Sequence, residues 1–113
     1  MKLYDKLNEV TGENYDIKTW AIIGASGDVY NLFNLRKYNI QEGWFIDNVL
    51  TVFRVAYDLL NIEDRISAEK RALLYTADSV YDTYHMNELG IDFEELSKTL
   101  LKRYRNTYFD LEG

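Results

Sequence analysis

The sequence predicts an all-α fold, a compact bundle of four main helices plus a short N-terminal one, in a single helical domain over residues 1–113. Three observations predict it. Residues 43–61, GWFIDNVLTVFRVAYDLLN, hold twelve apolar side chains in nineteen. Their polar members Asp47, Thr51, Arg54 and Asp58 fall at i, i+4, i+7 and i+11, one narrow stripe at helical spacing. The chain has no Pro and only six Gly, which suits helices joined by short corners and is too little turn punctuation for an all-β chain. Finally, Gly90 followed by Ile91 and Asp92 reads as a helix stop running directly into a helix start.

Residues 2–10 form a short helix with Leu3, Leu7 and Val10 on one face, and Gly12 takes the left-handed position after it. This helix is too short to persist alone and must dock on the rest. Asn14 or Asp16 starts the second helix, whose apolar residues run from Ile17 to Leu35, with Arg36 and Lys37 at its C-terminal end. Gly24-Ala25-Ser26-Gly27 interrupts that pattern. Either the helix passes close to a neighbour there, or the chain breaks and Asp28 caps a new helix. Residues 38–42 lead into the central helix at 43–61, which is apolar on most of its circumference and so belongs in the middle of a bundle. Residues 61–65 are polar and close it.

Ser67 caps the fourth helix, with Leu73, Ala77, Val80 and Tyr84 as its apolar stripe, Leu74 and Tyr81 beside it, and an end at Leu89. Gly90 and Ile91 then make a Schellman-type stop. Asp92 caps the last helix and stands at capping-box spacing from Glu95. Phe93, Leu96, Leu100, Leu101, Tyr104 and Tyr108 form its buried face. Glu94 and Lys98 are a favourable i, i+4 pair, and Lys102, Arg103 and Arg105 end the helix.

Composition narrows function. Cysteine is absent, which excludes disulfides, thiolate metal sites and Cys nucleophiles, and fits a cytoplasmic protein. A net charge of −6 works against direct binding of nucleic-acid phosphates and suits a protein partner with a basic surface. No run reaches the length of a membrane span. Ten Tyr, five Phe and two Trp leave aromatics for an interface, including one between copies of the chain in a homo-oligomer.

Four constellations invite chemistry. AIIGASGDV resembles the glycine turn of a dinucleotide site, but only GxxG is present and a helix stands where the second strand belongs. Asp78 and Asp82 at i, i+4, with the sole histidine His85 three residues on, form either a solvated face or a set of ligands for a hard divalent cation. The stripe Asp47, Thr51, Arg54, Asp58 is a wet edge, an internally paired brace, or one wall of a cleft. Lys98, Lys102, Arg103 and Arg105 with Tyr104 and Tyr108 make a basic patch with aromatics, although helix-end cations account for it.

Residues 87–106, NELGIDFEELSKTLLKRYRN, resemble the end of the MazG-like, all-α NTP pyrophosphohydrolases, in which a metal-binding helix runs into a G-I-D corner and a final helix. The likeness extends upstream to Ala77-Asp78, and residues 23–37 are similar in apolar pattern to the family's first metal helix. Those enzymes bind Mg²⁺ through acidic pairs on facing helices. Here position 25 is Ala and position 75 is Tyr, so the resemblance implies a metal site that is either lost or rebuilt around Asp28, Asp78 and Asp82. The functional expectation is a small acidic helical interaction or regulatory protein that binds a protein partner without catalysis and without a cofactor. A divergent Mg-dependent nucleotide pyrophosphohydrolase and a structural subunit of a larger assembly are the alternatives.

Overall fold

A computed structural model of the chain describes residues 2–63 and 67–113, leaving the side chains of residues 62 and 63 aside. Five α-helices follow one another: α1 (Leu3–Thr11), α2 (Ile17–Leu32), α3 (Glu42–Glu63), α4 (Ala68–Thr83) and α5 (Phe93–Glu112), with a 3₁₀ turn at Leu35–Tyr38 between α2 and α3. The four long helices form a ring in which α2 touches α3, α3 touches α4, α4 touches α5, and α5 closes on α2. Pairings along each seam give their directions. Lys18 lies over Tyr57 while Tyr30 meets Phe45, so α2 and α3 run antiparallel. Asn48 bonds Tyr84 while Leu59 lies by Tyr75, which sets α3 against α4. Tyr81 packs on Phe93 while Tyr104 reaches Glu69, which does the same for α4 and α5. The bundle is therefore up-down-up-down.

The core runs through all four long helices, with Ile22, Val29, Phe45, Phe53, Leu73 and Leu96 almost wholly enclosed. The apolar helix predicted at 43–61 is α3, but its place is a corner of the ring between α2 and α4, and Trp44, Val55 and Leu59 face outward from it. All four residues of its polar stripe are exposed, and the C-terminal two, Arg54 and Asp58, also form one wall of a cleft. The predicted polar close at 61–65 lies partly outside the described residues.

α2 passes unbroken through Gly24-Ala25-Ser26-Gly27. The small residues serve a close approach: a Cβ at Gly24 would stand 2.9 Å from Cγ2 of Thr107 on α5. Asp16, not Asp28, is the cap, accepting the N–H of Thr19 at 2.9 Å. α2 also stops at Leu32, short of Arg36 and Lys37, because Asn34 turns left-handed at φ 51°. Asn tolerates that conformation better than most residues.

α4 ends at Thr83 rather than Leu89. His85 takes a left-handed conformation at φ 50°, the N–H of Met86 bonds to Tyr81 O, and the N–H of His85 bonds to Asp82 O. That is a complete Schellman-type closure. A second follows at once: Gly90 stands at φ 77°, with Ile91 N–H on Met86 O and Gly90 N–H on Asn87 O. The stop at Gly90 was legible; the one at His85 was not. Asp92 then caps α5 by accepting the Glu95 N–H at 3.0 Å. α5 does not end at Arg105 but continues to Glu112, since Tyr108 and Leu111 prolong its apolar face.

α1 is capped by Gly12 at φ 76°. It docks through Tyr4 and Leu7, whereas Leu3 and Val10 are exposed, contrary to the predicted Leu3/Leu7/Val10 face. Asn8 supplies the polar half of the contact. Its amide donates to Tyr15 O at 2.8 Å and accepts from the Tyr15 N–H at 3.0 Å and the Trp20 indole at 2.8 Å.

Candidate functional site

The exposed stripe of α3 leads at its C-terminal half into a cleft of about 270 Å³ at the corner between α1 and α2. Tyr15, Asp16 and Lys18 face Arg54, Tyr57 and Asp58 across it. Much of this polarity has structural work. Asp16 is spent on the Thr19 N–H: partial burial pushes its carboxyl up, but that hydrogen bond and the Lys18 and Arg54 charges outweigh it and hold the group below the usual carboxylate range. Lys18 lays its ammonium 5.3 Å from the Tyr57 ring centroid, a cation–π contact. The Glu13 carboxylate pushes the Tyr15 phenol up. Two carboxylates and two cations leave the cleft without a dominant charge, and nothing in it pairs a nucleophile with a base.

The residues implied as a metal site stand apart. Asp28 lies on the α5 side of α2, with Oδ2 4.0 Å from Nη1 of Arg103. Asp78 and Asp82 are exposed on α4, the helix diagonal to α2, and His85 is exposed beyond them. Among the described residues no group of three or more His, Asp or Glu side chains is arranged to hold a metal ion. The basic residues of α5 are likewise ordinary surface: Lys98 pairs with Glu94 at 2.7 Å, and Tyr104 is buried. Burial and a 2.7 Å hydrogen bond to Glu69 push the Tyr104 phenol far up, so it serves as a neutral brace between α5 and α4.

A feature the sequence reading missed lies on the other flank of α3. Val55, Leu59 and Tyr75 are 56, 64 and 60% exposed, and together with Ala56 and Leu60 they line an apolar groove of about 200 Å³ between α3 and α4. Trp44, 73% exposed, stands on the same face of α3, eleven residues before Val55. The signal was present. These residues sit beside the polar stripe of α3, not opposite it, and the part of an apolar surface nearest the wet edge is the part most easily left uncovered. Single exposed apolar residues need no explanation, but a contiguous set does.

No helix among the described residues is long and apolar enough to cross a membrane. Compared with protein-family models, curated proteins and solved structures, the chain shows no match.

Proposed function

We propose that the protein is an acidic helical interaction module that binds a protein partner presenting a basic surface, and that it acts by occupancy and not by chemistry. One observation carries the reading: the contiguous, uncovered apolar groove formed by Val55, Leu59 and Tyr75 on a chain of net charge −6. Burying apolar side chains against a partner is the main drive of association, and the surrounding acidic surface selects partners of the opposite sign.

The test is site-specific photo-crosslinking in the native host. A photoreactive residue at Leu59 should capture a discrete protein, competed away by excess unmodified protein, while the same group at the exposed Asn106 on α5 should not. Absence of a competed product at every exposed position tried would refute the reading.

A further inference from the structure

We infer that the α3–α4 groove receives a cationic amphipathic helix of the partner, laid lengthwise between the two helices. This rests on the interaction-module reading and gives it a location and a ligand chemistry. The shape comes first. Two antiparallel helices present a straight furrow, and a third helix fits such a furrow by setting its ridges into it. The groove itself lies at residues 55–60 of α3, and the exposed Trp44 stands on the same flank fifteen residues before Leu59, about 22 Å at helical rise, the length a partner helix of about four turns would cover.

The chemistry along the furrow is graded. Tyr75 lies level with Val55 and Leu59, so one end is apolar. Asn48 donates to the Tyr84 hydroxyl, which puts the N-terminal half of α3 level with the C-terminal half of α4. That half carries exposed Asp47 on one bank and Asp78 and Asp82 on the other. Along this flank three exposed carboxylates, those of Asp47, Asp78 and Asp82, stand against the one guanidinium group of Arg71. The complementary object is a helix with apolar anchors on one face, Lys or Arg on its flanks, and most of its cations toward the Trp44 end. Trp44 itself offers a ring face to such a cation. A second copy of this chain is the poorer occupant, because it would set the same acidic banks against each other.

The experiment uses the intact protein and two synthetic helical peptides of about 18 residues with one shared leucine face, flanked by Lys in one and by Glu in the other. Binding is read by anisotropy of the labelled peptide and by backbone amide shifts. The Leu/Lys peptide should bind, with shifts on the outer faces of α3 and α4, and the Leu/Glu peptide should not. Leu59→Ala and Tyr75→Ala, both at exposed positions, should each weaken binding at least about tenfold, as anchor residues do. Asp78→Asn with Asp82→Asn should weaken it severalfold and flatten its salt dependence. Phe109→Ala, which removes an exposed aromatic on α5, should change nothing.

Equal binding of both peptides, indifference to Leu59→Ala and Tyr75→Ala, or shifts confined to α5 would overturn the inference. So would sedimentation of a dimer that Leu59→Ala dissolves, since the groove would then be covered by a second copy. A native partner that crosslinks only away from the groove would sink this inference and leave the interaction-module reading standing.

Discussion

Alanine at two glycines of α2 should have opposite effects, and the difference can be worked out in advance. Gly24 and Gly27 both lie inside a continuous helix, where replacing Gly by Ala stabilises by about 0.5–1 kcal/mol through the smaller loss of backbone freedom. At Gly27 the new methyl would meet Cδ1 of Ile46 at 3.9 Å, an ordinary contact, so the gain survives. At Gly24 it would stand 2.9 Å from Cγ2, 3.5 Å from Oγ1 and 3.8 Å from Cβ of Thr107. A β-branched residue is stiff at χ1, and two of its three staggered positions aim a heavy branch at the new methyl. The α2 and α5 backbones must separate instead, which costs about 1–3 kcal/mol and exceeds the helical gain. Gly27→Ala should therefore stabilise by about 0.5–1 kcal/mol and Gly24→Ala should destabilise by up to about 2 kcal/mol. Urea unfolding followed by far-ultraviolet circular dichroism measures both, and Thr107→Ala in the Gly24→Ala background should recover most of the loss. If Gly24→Ala proves as stabilising as Gly27→Ala, the close α2–α5 approach is not what selects glycine at position 24.

Other perturbations test separate parts of the structure. Asn8→Ala should cost about 1–3 kcal/mol, because it strips the Tyr15 amide and carbonyl and the Trp20 indole of a shared partner; unchanged tryptophan emission and unchanged protease resistance of α1 would contradict that. Asp16→Asn keeps a cap oxygen and removes the charge. Because the folded Asp16 carboxyl lies below its unfolded value, the charge stabilises above about pH 4 and its contribution is lost as pH falls through the folded value. The stability gap between wild type and Asp16→Asn should be constant from neutral pH to about 5 and close in stronger acid, whereas a gap that persists to about pH 2 would be inconsistent with the cap geometry. His85→Gly should raise stability by about 1 kcal/mol, since His85 holds a left-handed backbone that glycine adopts without strain; a lower melting temperature would show that the imidazole has a stabilising role. Millimolar Mg²⁺ should leave the melting temperature unchanged, and a rise abolished by Asp78→Asn with Asp82→Asn would reinstate the metal-site reading.

What the sequence disclosed and what it hid divide along a physical line. Gly12, Gly90, Ile91 and Asp92 announced their corners because each acts on neighbours a few residues away, through a left-handed φ or a side-chain cap. The alignment of Asp47, Thr51, Arg54 and Asp58 on one side of α3 was legible for the same reason, being a property of one helix. Asn34 and His85 also take left-handed backbones, but neither residue type demands it, so the ends of α2 and α4 were misplaced. The meaning of Gly24 depends on Thr107, eighty-three positions away, and could not be read locally. Asn8 gives no local signal, because its partners Tyr15 and Trp20 reach it only in the fold. Val55 and Leu59 were two of twelve apolar side chains on a helix placed in the middle of the bundle, and nothing within that helix marks them as the uncovered ones; a corner helix covers less of its circumference. Asp28, Asp78 and Asp82 could be named as a ligand set only while their helices had no positions, and the ring order separates them.

The closure of the ring by α2 and α5 bears on how the chain is made. α2 carries apolar side chains on every side, and its most extensive contact is with α5, which starts about sixty residues further along the chain. At roughly 5–20 residues per second, the translating chain keeps α2 waiting several seconds before α5 arrives. During that interval α3 can shelter one flank, and the small-residue flank at Ala21, Gly24 and Ala25 stays open to solvent and to other nascent chains. Message truncated before the codons for α5 would thus yield a product with that flank permanently bare. Any stop codon upstream of Phe93 exposes it.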